Sequence, residues 1–246
     1  MELMDEGDDM NAIQVGPAII QQSWIVIGSG LVVGYLLLTF SSPFKGEGGK
    51  EIRETIGNSV ITFILTFLFG TFIFQIDMVI RDPIAVMSYP SGEQELYLAT
   101  IFTITYLMYS SIKNKVGPFE YVHGLLYYLL PTSFIFEFWV QRNGREMWDG
   151  ISVILPWDNH PISLYMLVFS AILLIILLKI ESVKVEQKVI NILLIWTITL
   201  NLTALLDDYP VYFGIPVTQW FYLFLLSIVL GLVVINQIKK KGFYKW

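Results

Sequence analysis

The sequence predicts an all-α, multi-pass membrane protein with seven transmembrane helices, and three observations lead to this fold class. Apolar residues make up 55% of the 246 residues and charged residues 15%. The mean hydropathy is +0.63, which is typical of a chain whose main solvent is lipid. The third observation is a series of apolar runs, each close to the ~20 residues that a helix needs to cross a bilayer.

The seven predicted helices follow one another with short connections. They cover residues 19–40, 57–80, 96–112, 119–140, 162–180, 189–206 and 218–238. Their apolar residues are continuous rather than alternating, which favours helices over a β-barrel. We therefore expect one membrane domain over residues 1–246, with an acidic outer tail at 1–17, an outer polar loop at 141–161 and a basic cytoplasmic tail at 239–246.

Lysine and arginine predict the orientation of this domain. With the N-terminus outside, the inner segments hold twelve of the 15 basic residues, and the outer segments hold only Arg81, Arg142 and Arg145. This asymmetry places the C-terminus in the cytoplasm. The net charge of -6 owes much to five acids of the N-terminal tail, and no basic patch indicates a nucleic-acid partner.

The chain has no cysteine. This excludes disulfides, thiolate metal sites and a cysteine nucleophile within the chain. No cluster of oxygen or nitrogen ligands suggests a metal, and no cofactor is expected.

The polar residues concentrate in the loop after the fourth helix, from Gln141 to Tyr165. The fourth helix itself carries a polar stripe at helical spacing, at His123, Tyr127, Phe134, Glu137 and Gln141. An intramembrane carboxylate is costly unless it faces the protein interior, so the stripe should point inward. We interpret His123 as a satisfied histidine near the cytoplasmic end of its helix that needs no burial.

The sixth helix places Thr197 and Asn201 on one face, at a depth similar to that of Glu137, so Asn201 and Glu137 are expected to be within reach of each other. Asp207 and Asp208 beyond it are interpreted as solvated helix-end residues.

Gly30 and Gly34 form a small-xxx-small spacing that predicts close packing within the bundle more than homodimerisation. Residues 81–95 are predicted to form a re-entrant or interfacial segment.

Three stretches together resemble the prolipoprotein diacylglyceryl transferases. They are IQVGPAI at 13–19, HPISLY at 160–165 and GIPVTQW at 214–220. The resemblance implies the seven-helix topology with the N-terminus outside, in the cytoplasmic membrane of a bacterium. It also implies transfer of a diacylglyceryl group from phosphatidylglycerol to the cysteine of a lipoprotein precursor. Such a reaction needs arginine for the lipid phosphate and a base for the thiol.

The resemblance nominates two sets of residues. Glu137, Arg142 and His160 are the candidate catalytic residues, and Arg142, Asn143, Arg145, Tyr165 and Asn201 are the candidate lipid-binding residues.

Several of the family's polar groups have no counterpart. Its H-G-G-L segment is replaced by SGEQE at 91–95, the arginine of its sixth helix falls at or near Asn201, and the following glutamate falls near Leu205. Its tyrosine in the first helix falls near Ser23, and its G-A-R-L becomes Gly70 to Ile73. The loss of one such group costs about 10² to 10³ in rate.

These departures favour a divergent pseudoenzyme that binds a phosphatidylglycerol-like phospholipid, a membrane partner, or both, at an outer-facing polar cavity. The partner would be a lipoprotein precursor or another membrane protein. One alternative is an active transferase in which Glu93, Glu95, Glu137, Arg142, Arg145 and His160 work in a new arrangement. A second alternative is a solute or proton-coupled transporter using Asp77, Glu137 and Asp207. The transporter is the weaker alternative, because none of the predicted helices carries a charged residue near its middle, where the substrate sites of transporters usually lie.

Overall fold

The computed structural model describes residues 12–15, 18–87, 89–148, 157–180 and 183–240. The described chain is all-α apart from two small hairpins. Its helices are α1 (Gln22–Phe40), α2 (Lys50–Phe74), α3 (Ile76–Arg81), α4 (Pro83–Met87), α5 (Glu93–Asn114), α6 (Pro118–Val140), α7 (Ile162–Lys179), α8 (Val185–Leu205) and α9 (Gln219–Lys240). A 3-10 turn, Glu47–Gly49, precedes α2. The hairpins pair β1 (Ala12–Val15) with β2 (Ala18–Gln21) and β3 (Val211–Tyr212) with β4 (Ile215–Pro216).

Five of the described helical segments are long and apolar enough to cross a membrane. They are Gln22–Phe40, Glu47–Phe74, Ile162–Lys179, Val185–Leu205 and Gln219–Ile238. The chain is therefore a helical membrane protein by architecture and composition. Helices α5 and α6 are of similar length but carry more polar residues along their length, among them Glu95 in α5 and His123 and Glu137 in α6.

Helix α6 is the centre of the bundle. It packs against α1 and α7 most extensively, and also against α2, α5 and α8. Gly30 and Gly34 of α1 lie directly against it, because a Cβ at these positions would come within 2.6 Å of Thr132 and 2.7 Å of the Tyr127 carbonyl. This confirms close intramolecular packing at the small-xxx-small spacing.

The bundle has two chemically different ends. One end, which we call the polar end, holds the C-terminus of α6, the start of α7, the end of α8 and the β3–β4 hairpin. At the opposite end the Arg53 guanidinium binds the Phe44 and Gly46 carbonyls, and Lys188 donates to the Leu177 carbonyl at 2.7 Å. The predicted outer polar loop lies at the polar end; its residues 149–156 are outside the described residues, as are residues 1–11 and 241–246 of the tails.

The second predicted helix is wrong at both ends. Helix α2 begins at Lys50, not at residue 57, and ends at Phe74, not at residue 80. Gln75 adopts φ -110° and ψ 42°, which is not helical, so the chain changes direction before α3. No residue of α3 is buried, and Ile76 and Ile80 are exposed.

His123 also departs from its prediction, because it is buried at 2% exposure. Its ring meets Phe44 edge-on at 5.6 Å between centroids and lies 5.7 Å from Tyr127. Neither ring nitrogen has a hydrogen-bond partner among the described residues. Sequence reasoning missed this burial because the 3-10 turn and the Phe44 loop fold over the end of α6.

Candidate functional site

The described parts of the polar loop, residues 141–148 and 157–161, are fixed to the bundle by a ladder of backbone hydrogen bonds. The Gly144 amide donates to the His160 carbonyl at 2.7 Å, and the His160 amide donates to the Arg145 carbonyl at 2.9 Å. The Arg145 amide donates to the Leu206 carbonyl at 2.8 Å, beyond the end of α8. The loop therefore joins the ends of α6, α7 and α8 and is not a free surface connection.

Arg142 is the centre of the site. Gln141 ends α6 in the left-handed conformation with φ 48°, so the next residue leaves the helix axis. The Arg142 guanidinium then donates through Nη2 to Glu137 Oε1 at 2.9 Å and through Nη1 to Asp207 Oδ2 at 3.2 Å. Glu137 and Asp207 are both buried, and the Arg142 side chain is 12% exposed.

Ser163 and Tyr209 hold the two carboxylates in place. The Ser163 hydroxyl donates to Glu137 Oε2 at 2.7 Å and accepts the Arg142 backbone amide at 2.7 Å. The Tyr209 amide donates to Asp207 Oδ1 at 3.1 Å. Every carboxylate oxygen of the cluster is thus hydrogen-bonded, which is the condition under which a buried ion pair is tolerated.

One donor atom of the cluster has no hydrogen-bond partner in the part of the chain that the structure describes. Arg142 Nε is buried and has no hydrogen-bond partner among the described residues. The formal charges also do not balance, because two carboxylates against one guanidinium leave one negative charge. The site is therefore acidic, although its central residue is an arginine.

A small cavity lies beside the cluster. It offers about 20 Å³ to the centre of a water molecule, which is room for about one water. Aromatic side chains form much of the wall, and the full lining comprises Ser133, Glu137, Arg142, Ile162, Met166, Trp196, Leu200, Thr203, Ala204, Asp207, Pro210, Val211, Tyr212, Phe213 and Tyr222. Burial raises the pKa of the Tyr212 phenol above its ordinary value of 10.0, so this group is neutral.

The β3–β4 hairpin forms part of the cavity wall, through Val211, Tyr212 and Phe213. Its turn residues are Phe213 with φ 49° and Gly214 with φ 79°. A two-residue turn with two positive φ angles prefers Asn-Gly or Asp-Gly, so a phenylalanine at the first position is strained. The Phe213 ring packs against Phe136 with centroids 5.5 Å apart, which offsets part of this strain. The Tyr222 hydroxyl donates to the Val211 carbonyl at 2.9 Å and ties the hairpin to α9.

The predicted catalytic residues are only partly brought together. Glu137 and Arg142 meet, but His160 is not among the residues that line the cavity. The His160 ring packs edge-on against Trp148 at 5.9 Å, and its Nδ1 lies 3.3 Å from the Tyr165 hydroxyl. His160 and Tyr165 therefore pair with each other and support the entry of α7.

The predicted lipid-binding residues are dispersed. Asn143 and Arg145 are exposed, and Arg145 donates through Nε to the exposed Asp208 carboxylate at 2.9 Å. Asn201 is buried but bonds to the Tyr222 carbonyl and to the Gln219 side chain. No hydrogen bond joins Asn201 to Glu137 among the described residues; the two side chains bind different partners.

The acids near the replaced H-G-G-L segment have structural roles. The Glu93 carboxylate accepts the Thr218 amide at 3.0 Å and the Thr218 hydroxyl at 2.7 Å, which joins α5 to the start of α9. Glu95 Oε2 accepts the Gly92 amide at 2.8 Å and caps α5. Asp77, proposed for a transport pathway, is exposed on α3.

Asp207 is the main residue of the cluster that sequence reasoning placed wrongly. The interpretation as a solvated helix-end residue holds for the exposed Asp208 and fails for the buried Asp207. Sequence reasoning gives no role to Tyr212 and Tyr222, and it includes Ser163 only as part of the HPISLY stretch. The available signal was Ser163 at the start of a helix that follows a polar loop, but a serine there is more often only a cap.

No protein-family model matches this chain, and no curated protein sequence matches it. The fold and the site thus define a class: a helical membrane protein with a buried Glu137–Arg142–Asp207 cluster beneath a hairpin.

Proposed function

We propose that this chain is a non-catalytic membrane protein that binds phospholipid at the polar end of the bundle, on a scaffold similar to that of the diacylglyceryl transferases. The single observation that carries the proposal is the Arg142 side chain in the cavity lining: its terminal nitrogens donate to Glu137 and Asp207, and its buried Nε, which has no hydrogen-bond partner among the described residues, can donate to a lipid oxygen. Bidentate recognition of a catalytic phosphate needs that same fork.

The site also lacks an arranged base. Glu137 is engaged by Arg142 and Ser163, and His160 lies outside the cavity lining. A thiol nucleophile needs a free base within hydrogen-bond reach. An active transferase is therefore less well supported than a protein that retains lipid without turnover.

The proposed topology has seven spans with the N-terminus outside, in the cytoplasmic membrane of a bacterium. Helices α5 and α6, with 22 and 23 residues, are long enough to complete the five apolar spans. Exposed aromatic side chains gather at the polar end, as at a membrane interface, and include Trp139, Trp148, Tyr209 and Trp220. Basic residues of the opposite end, such as Arg53 and Lys188, support its cytoplasmic placement.

The lipid-binding role is supported by where the cavity lies. It lies between the end of α6, the start of α7 and the end of α8, and the β3–β4 hairpin forms part of its wall. A head group would enter this cavity at the polar end, while the acyl chains stay beside the bundle.

Native mass spectrometry of the purified full chain tests the proposal. We expect one phospholipid per chain to be retained. Ala204→Phe fills the cavity, since Ala204 lines it, and should remove the lipid. Leu205→Phe is the matched control because Leu205 is exposed, at 58%, and should keep the lipid. Loss in both variants, or in neither, would contradict a site in this cavity, provided that both variants elute as monodisperse protein.

A further inference from the structure

Arg142 Nε is a donor atom that the described part of the chain leaves without an acceptor. The two terminal nitrogens of the same guanidinium donate to Glu137 and Asp207, and Nε itself is buried. A buried donor without an acceptor is unfavourable, and more so when it belongs to a charged group. The position therefore favours a ligand that brings an acceptor atom to Nε.

The charges of the cluster restrict which acceptor can be placed there. Glu137 and Asp207 are buried and exceed Arg142 by one formal negative charge. A phosphate oxygen beside Nε would be repelled by both carboxylates in this buried setting. Arginine usually holds a phosphate through two parallel N–H bonds, but both terminal nitrogens are already bound within the cluster. An ammonium group is also unsuitable, because it has no lone pair that can accept a hydrogen bond from Nε.

The cavity beside the cluster suits one uncharged oxygen. It has room for about one water, which is also the space that a single carbonyl or hydroxyl oxygen fills. Arg142 lines it together with apolar side chains such as Ile162, Met166 and Ala204. Burial among apolar side chains costs less for a hydrogen-bonded neutral group than for an ion. The size, the wall and the charge of the site therefore favour the same kind of ligand atom.

We infer that Arg142 Nε donates a hydrogen bond to an uncharged oxygen of the bound lipid, either an ester carbonyl or a head-group hydroxyl, and not to its phosphate. This inference rests on the proposed lipid-binding function and specifies the part of the lipid that the cavity receives. The terminal nitrogens of Arg142 keep the cluster together, and Nε alone binds the ligand.

Two pairs of lipids test the inference and distinguish the two sources of the oxygen. The first pair is a diester phosphatidylethanolamine and its dialkyl ether analogue, which lacks the ester carbonyls and has no hydroxyl in their place. The second pair is dialkyl phosphatidylglycerol and dialkyl phosphatidylethanol, which carry the same charge and differ in the head-group hydroxyls. The full chain is reconstituted in nanodiscs that contain equal amounts of the members of one pair, and the retained lipid is identified by mass spectrometry after mild extraction.

The lipid that carries the uncharged oxygen should be retained in preference by about tenfold in at least one pair, which is the effect of one hydrogen bond to a charged donor. A preference in the first pair assigns the oxygen to the ester carbonyl, and a preference in the second pair assigns it to the hydroxyl. Equal retention within both pairs overturns the inference while lipid binding itself stands, because both members of each pair keep the phosphate. Retention of no lipid contradicts the proposed function as well.

Two arginines of the same loop provide a matched pair of variants. Arg142→Lys keeps a positive charge beside Glu137 and Asp207 but removes the Nε donor, so the preference should fall to about twofold or less. Arg145→Lys changes the exposed arginine that binds Asp208 and should leave the preference unchanged. A preference that persists in folded Arg142→Lys overturns the inference.

A measurement on the wild type covers the case in which Arg142→Lys does not fold. The chain has four arginines, so isotope-labelled arginine gives at most four Nε–H signals in a nuclear magnetic resonance spectrum. Arg53→Lys, Arg81→Lys and Arg145→Lys assign the other three. We expect the Arg142 signal to shift when the preferred lipid of a pair is replaced by the other member, while the remaining signals stay in place. An Arg142 signal that is the same with both lipids overturns the inference.

Discussion

Arg142 donates to Asp207 at 3.2 Å, across 65 residues of chain. Together with the 2.9 Å contact to Glu137, this ion pair ties the end of α6 to the end of α8. Arg145 makes the neighbouring contact to Asp208 at 2.9 Å, but both of those side chains are more than half exposed. The two arginines therefore occupy similar positions in the loop and different dielectric environments.

This difference predicts unequal effects on stability. Arg142→Gln leaves two buried carboxylates facing each other and should lower the free energy of unfolding by about 3–5 kcal/mol. Arg145→Gln removes an exposed pair and should cost about 1 kcal/mol or less. Denaturant unfolding in mild detergent, followed by circular dichroism, measures both. Equal effects would contradict the buried cluster.

Because the Phe213 ring lines the cavity, we expect its removal to make the cavity more accessible to reagents. Phe213→Asn replaces a strained residue with one that suits the turn and removes a ring that lines the cavity. A cysteine at Thr203, which lines the cavity, should then react with a membrane-impermeant maleimide about tenfold faster, since reactivity depends on access. The chain has no other cysteine to confuse the labelling. An unchanged rate would mean that the hairpin does not limit access.

Gly144 predicts a tight contact between the loop and α8. A Cβ at this position would lie 2.2 Å from the Leu206 carbonyl oxygen and 2.8 Å from Ile162. Gly144→Ala should therefore lower the midpoint of thermal unfolding, with a cost of about 1–3 kcal/mol. Gly231→Ala meets open space within α9 and should be neutral or stabilising. A neutral Gly144→Ala variant would show that the loop is not docked as described.

The raised pKa of the Tyr212 phenol predicts that the folded protein loses stability at high pH. Its pKa is raised by burial, so above about pH 10 the unfolded chain loses this proton while the folded chain keeps it. Stability then falls as pH rises, by up to about 1.4 kcal/mol per pH unit for one such group. Tyr212→Phe should flatten the fall between pH 10 and 11.5 in a series of unfolding curves. An identical slope in the variant would contradict the burial of this phenol.

The long helices were largely predictable from hydropathy. Helix α7 begins at Ile162, the residue that its apolar run predicts, and α6 ends at Val140 as predicted. The break at Gln75 was not predictable, because the apolar run continues through Ile80 while the backbone leaves the helical region. Periodicity reports burial and composition, but it does not report a local change of direction in an apolar environment.

The site was predictable only where one partner lay close in sequence. Glu137 and Arg142 are five residues apart, and the inward polar stripe indicated one of them. Asp207 reaches Arg142 only through the packing of α6 against α8, and an aspartate at a helix end resembles a solvated residue when viewed alone. For Asn201 the sequence predicts a position inside the bundle, and the residue is buried. Its hydrogen-bond partners, Tyr222 and Gln219, could not be predicted because they lie on another helix.

A turnover assay tests the central claim most directly. The purified chain is incubated with phosphatidylglycerol, phosphatidylethanolamine and a lipobox peptide, and both bound lipid and released glycerol 1-phosphate are measured in the same sample. With Arg142 bound by Glu137 and Asp207, we predict retained phospholipid and no glycerol 1-phosphate above the level of Arg142→Gln. Release that the wild type supports and Arg142→Gln abolishes would contradict the account and identify an active transferase.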